Sequence, residues 1–161
     1  MMRKMPLAAA FGAALLTLAL ASPRAGASNP FGSLAGAWRG EGQVKLTGGQ
    51  TEKLSCKAYY TTKSEGAELG LALTCASASS KIELRAGLID KDGKVAGNWE
   101  ERAFNSSGTI VGAASDSGLK LKITGTLTAE MSISVAAKSQ QVSIATDGTG
   151  FTSVDLELVK T

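Results

Sequence analysis

From Trp38 to the end of the chain, apolar and polar residues alternate with a period of two. Trp38, Gly40, Gly42, Val44 and Leu46 take one parity, and Arg39, Glu41, Gln43 and Lys45 take the other. Successive side chains of a strand point to opposite faces, so this is the pattern of a half-buried strand. After Thr47-Gly48-Gly49-Gln50, a turn by composition, Leu54, Cys56, Ala58 and Tyr60 oppose Lys53, Ser55, Lys57 and Tyr59. The parity continues through Leu69–Cys75, Ile82–Leu88, Val95–Glu101, Ile110–Ala114, Leu119–Ile123, Met131–Val135, Val142–Ile144 and Val154–Leu158. Asp90-Lys91-Asp92-Gly93 is a hairpin signal, because its glycine accepts the positive φ of a tight turn.

None of these segments carries a helical period over ten or more positions, and Ser, Thr, Val and Ile suit strands. The prediction is an all-β domain, an antiparallel meander of about 8–10 strands with short connections. Its apolar face has to be hidden, either by closing the sheet into a barrel or by folding it into a two-layer β-sandwich. Alternation alone does not say whether the charged side faces water or a lumen. The absence of aromatic girdles points away from a membrane-embedded barrel.

The first residues follow a different pattern. Arg3 and Lys4 precede an uncharged apolar run, Leu7 to Leu20, and Ala25-Gly26-Ala27 supplies the small residues of a signal-peptidase site. The run is about 14 residues long, short of the roughly 20 that a spanning helix needs. The expected organisation is a signal peptide over residues 1–27, cleaved, then a short polar lead over 28–36 and a single β domain over 37–161. The mature protein is then periplasmic or secreted. Cleavage removes Arg3, Lys4 and Arg24 from 17 basic residues, leaving 14 against 14 acidic ones, so the mature chain is neutral. With its basic residues scattered, it shows no nucleic-acid stripe and no polybasic membrane patch.

Export also sets the chemistry of the 2 cysteines. In an oxidising compartment an isolated pair forms a disulfide, and Cys56 and Cys75 share the inward parity of neighbouring strands. They stand too far apart for a Cys-x-x-Cys redox or metal motif.

The chain has no histidine, which excludes Ser-His-Asp triads, Cys-His pairs and His-bearing zinc sites. Asp90–Gly93 lacks the later bidentate glutamate and the flanking helices of a calcium loop and reads as a turn. Asn105-Ser106-Ser107 fits a glycosylation sequon but otherwise reads as a turn. The glycine-rich stretches do not precede helices, so they form no phosphate cradle. Adjacent Glu100 and Glu101 point to opposite faces and cannot act as a carboxylate pair. The composition therefore predicts no catalytic residues, no metal, no cofactor and no enzyme.

Gly36-Ala37-Trp38 at the head of the first strand resembles the Gly-x-Trp that opens lipocalin and other calycin-type barrels, where the Trp plugs the closed end. The resemblance implies a calycin-like β-barrel in preference to the sandwich. More broadly, the Cys56–Tyr59, Leu73–Ser77 and Gly97–Glu101 segments behind a signal sequence resemble short exported proteins of alphaproteobacteria. Lipocalins also carry a helix near the C-terminus and an Arg across the first Trp, and neither is evident here. Fatty-acid-binding proteins hold a carboxylate with inward basic residues. No Lys or Arg is read on the apolar parity, so no such clamp is expected.

Trp38, Tyr60 and Trp99 share the inward parity and are either core anchors or the lining of a hollow left by small inward residues such as Gly40, Gly97 and Gly112. Glu101 continues the same parity. It either ends the strand in water or serves as a polar anchor for a ligand. The leading expectation is a binding protein that holds a small hydrophobic molecule or lipid inside the barrel, with Trp38, Tyr60, Trp99 and Glu101 as candidate contacts. The alternative is a protein-interaction or protease-inhibitor-like module with a solid core and a protein partner.

Overall fold

The computed structural model describes residues 29–147 and 150–161, so the expected signal peptide lies outside the described residues. Among the described residues, ten antiparallel strands form a meander that closes on itself: β1 (Gly36–Leu46), β2 (Thr51–Lys63), β3 (Glu68–Ala76), β4 (Lys81–Lys91), β5 (Lys94–Glu101), β6 (Ser106–Ser115), β7 (Gly118–Gly125), β8 (Ala129–Val135), β9 (Ser139–Thr146) and β10 (Phe151–Lys160). Each strand pairs with its sequence neighbours. Closure comes from β1 against β10, in register from Trp38↔Lys160 to Val44↔Val154, with an irregularity at Lys45/Leu46. A closed calycin-like barrel, rather than a sandwich, is the solution that leaves no free sheet edge.

Sidedness follows the sequence parity. Trp38, Leu54, Cys56, Leu121 and Leu158 are buried within, while Arg39, Lys57, Arg85, Lys120 and Lys122 stand exposed on the outer wall. That is the reverse of a membrane-spanning barrel, whose outer band is apolar. Among the described residues no helix is long and apolar enough to cross a membrane.

Several inward glycines serve a purpose other than leaving room. A Cβ built at Gly40 would sit 1.8 Å from the Glu157 carbonyl oxygen, and one at Gly97 would sit 1.9 Å from that of Gly87. The neighbouring backbone occupies the space a side chain would need, so these positions let strands coil tightly against each other. The reading of Gly40, Gly42, Gly97 and Gly112 as the source of a hollow is corrected accordingly. At the β4–β5 hairpin, Asp92 (φ 54°) and Gly93 (φ 81°) adopt the left-handed pair that the turn signal requires.

The lead is more ordered than its composition suggests. Phe31–Leu34 forms a one-turn helix, α1, with Pro30 at its N-cap, and Asn29 Oδ1 just before it accepts from Phe31 N at 2.9 Å. Asn29 Nδ2 also donates to Gly66 O on the β2–β3 turn at 2.8 Å, which ties the segment to the barrel end. Phe31 and Leu34, three apart and so on one helix face, are both fully buried. The disulfide is formed as expected: Cys56 and Cys75 are direct partners across β2 and β3, with Cα atoms 4.2 Å apart.

Candidate functional site

The connections alternate between the two ends of the barrel. One end carries α1 together with the β2–β3, β4–β5, β6–β7 and β8–β9 turns. The other, here termed the mouth, carries the β1–β2, β3–β4, β5–β6, β7–β8 and β9–β10 connections. At the α1 end the inward residues Leu69, Leu88, Leu119 and Leu158 are buried, as are Phe31 and Leu34 of α1. Toward the mouth the cover is mixed, with Val44, Leu54, Cys75, Ile123 and Ala129 buried. Leu46, Ile82, Leu84, Met131 and Phe151 are only partly buried although they belong to the inner cluster. The barrel is a cup stoppered at one end.

Trp38 is part of the stopper. Its side chain is fully buried, and its indole Nε1 donates to Leu34 O at 2.6 Å, joining β1 to α1. Lys160, its register partner on β10, places Nζ 5.5 Å from the ring centroid and donates to Ser33 O at 3.0 Å. The reading that no basic residue shares the apolar parity is thereby corrected, since Lys160 extends the series Val154, Leu156, Leu158. Its ammonium is engaged with the indole face and a helix carbonyl at the closed end. Lys160 thus supplies a cation across the first Trp, where lipocalins have Arg.

Tyr60 also faces inward and is 4% exposed. Its hydroxyl donates to Gln140 Oε1 at 3.0 Å. Burial pushes its phenol up to about 12, only partly opposed by the bond to Gln140. β2 and β9 are separated in the wall by β1 and β10, so this bond crosses the interior rather than running along the sheet. Gln140 escaped the sequence analysis. Extending the parity of Val142 and Ile144 by one step places it inside.

Trp99, 6% exposed, lies higher in the cup on β5. Its indole Nε1 donates to Thr124 O on β7 at 3.2 Å, reaching past β6, where its register partner is Gly108. A Cβ at Gly108 would sit 1.8 Å from that same Thr124 carbonyl oxygen, so the glycine lets β6 and β7 approach closely here.

Glu101 is 8% exposed, and its carboxylate is fully engaged. Oε1 accepts from Glu83 N at 2.8 Å and Ala103 N at 3.1 Å, and Oε2 accepts from Phe104 N at 2.7 Å. It braces the β5–β6 turn at the mouth, from which Phe104 projects, 63% exposed. The structure brings Trp38, Tyr60 and Gln140 together at the closed end and sets Trp99 and Glu101 apart, toward the mouth.

Two depressions mark the outer wall. One, of about 1180 Å³, crosses β2, β1, β10, β9 and β8, with the charged residues Arg39, Glu41, Lys53, Asp155 and Glu157 along it. The other, of about 760 Å³, has a floor of Gly70, Ala72 and Gly87 beside Tyr59, Arg85 and Asn98. Among the described residues no group of three or more His, Cys, Asp or Glu converges as a metal site.

No protein-family model matches the chain, and no curated protein does. Among solved structures the barrel is similar to the S-type phycobiliprotein lyase CPES from Guillardia theta, with a TM-score of 0.57 and 16% identity over 81% of this chain and 90% of that one. At that identity the likeness is one of fold, a lipocalin-type barrel. It also corrects the expectation that the chain is not an enzyme. A barrel of this architecture belongs to a protein titled a lyase, so an all-β wall is no argument against an activity.

Proposed function

We propose that the chain is an exported protein whose barrel takes a small hydrophobic molecule or lipid through the mouth, with Trp38 and Tyr60 at the floor and Trp99 on the wall. The observation that carries this reading is that the inward apolar residues Leu46, Ile82, Leu84, Met131 and Phe151, all toward the mouth, remain only partly buried within the inner cluster. Binding sites of this kind are concave, mostly apolar and furnished with few polar groups. Export is supported by the Cys56–Cys75 disulfide, which persists in oxidising compartments. It also accords with the resemblance to exported alphaproteobacterial proteins. Glu101 serves the site by fixing the rim.

The test is mass spectrometry of organic extracts from natively purified mature protein, together with tryptophan fluorescence on lipid addition. A recoverable apolar ligand and a shift in emission are expected. A protein that yields no ligand and whose emission does not move refutes the reading.

A second reading, a surface for a protein partner, draws on the outer wall. Ile89, Ala96 and Val111 lie in register across β4, β5 and β6, with Ile89 47% and Val111 53% exposed. Envelope pull-downs with the mature protein and with Val111→Lys test it. A partner captured by the first and lost by the second is the expected result.

A further inference from the structure

At the closed end of the cup lies a polar group that the fold leaves unserved. Gln140 is 1% exposed, and its amide Nε2 has no hydrogen-bond partner, while Oε1 is taken by the Tyr60 hydroxyl. A buried donor without an acceptor is costly, and such groups are rare enough to require an explanation. Tyr60 and Gln140 come from strands on either side of β1 and β10, so the pair spans the interior at the α1 end.

We propose that Tyr60 and Gln140 form the polar anchor of the interior. The free amide N–H groups of Gln140 take the hydrogen-bond-accepting end of an amphipathic molecule, an ester or carbonyl oxygen, while its apolar portion runs toward Trp99 and the mouth. The proposal rests on the reading of the interior as a ligand site and adds the chemistry of the ligand's inner end.

The chemistry favours a neutral acceptor over a carboxylate. Lys160 is the only strand cation on the inward parity among the described residues. Its Nζ is committed to Ser33 O and the Trp38 ring on the α1 side. An anion at Gln140 would be buried without a counter-charge, whereas an ester or ketone oxygen meets a donor of matching polarity.

The test compares methyl laurate with an alkane of matching length, titrated into the mature protein and followed by tryptophan emission. Wild type should bind the ester about tenfold more tightly, the contribution of one added hydrogen bond. Gln140→Leu should bring the ratio of ester to alkane affinity close to one. Equal binding of ester and alkane by wild type overturns the anchor and leaves the interior site standing, whereas failure to bind either probe removes the site itself. Should Gln140→Leu not fold, crystals of wild type with and without the ester decide. An ester oxygen at Nε2 supports the anchor, and the same ordered water at Nε2 in both overturns it.

Discussion

Glu101→Gln tests whether this carboxylate braces the mouth or binds a ligand. Glu101 accepts three backbone N–H bonds, two at Oε1 and one at Oε2. A glutamine keeps one acceptor oxygen and replaces the other with an NH₂ group, so at least one partly buried backbone donor loses its acceptor and faces another donor. That loss costs about 1–3 kcal/mol, and the surviving bonds weaken because they are no longer assisted by charge. Relief from burying the carboxylate offsets part of the cost, leaving a net destabilisation of about 2 kcal/mol. For a domain of this size the melting temperature should fall by roughly 6–10 °C. Denaturant unfolding supplies the free energy, and amide hydrogen exchange supplies the location. Exchange should accelerate at Glu83, Ala103 and Phe104 beyond any global change, with ligand affinity below the transition unaltered. A variant that loses less than about 0.5 kcal/mol, with exchange at those amides unchanged, refutes the brace. One that keeps its stability but loses the ligand makes Glu101 an anchor instead.

Replacing Cys56 and Cys75 together with serine should lower stability by about 3 kcal/mol, read by denaturant unfolding, since the bridge closes a loop of moderate length in the unfolded chain. Gly97→Ala places a Cβ 1.9 Å from the Gly87 carbonyl and should cost about 2–4 kcal/mol, whereas Gly87→Ala meets nothing within 4 Å and should be neutral or slightly stabilising. Thermal melts of the two variants should separate accordingly. Tyr60, with its phenol pushed up to about 12 by burial, stays neutral in the folded protein where the unfolded chain ionises. Its contribution is intact below pH 10 and is lost as pH rises from there toward 12, at about 1.4 kcal/mol per unit. Subtracting the same alkaline unfolding series for Tyr60→Phe isolates that slope, and parallel series for the two proteins refute it.

The strands were legible because a half-buried strand writes its burial into the sequence at every second residue. Leu54, Cys56, Ala58 and Tyr60 face the interior for the same reason that Lys53, Ser55 and Lys57 do not. That parity also set the cysteines on one face and carried Trp38, Tyr60 and Trp99 inward. Two of the misses were within its reach: Gln140 and Lys160 lie one step beyond series already traced. Helix α1 was missed because one turn is too short for periodicity. Its signals were the Asn29-Pro30 start and the three-residue spacing of Phe31 and Leu34.

Other features belong to the tertiary structure alone. Period two says which side of a strand avoids water but not how the sheet disposes of that side, and only the β1–β10 pairing decided for a closed barrel. A glycine in a strand reads as missing volume until a neighbouring carbonyl is found in the space, as at Gly40 and Gly97. The Tyr60–Gln140 contact joins residues 80 positions apart across the interior, and the Glu101 carboxylate meets backbone donors from β4 and from its own turn. No local pattern encodes these, because closure of the barrel is what brings the partners within hydrogen-bonding distance.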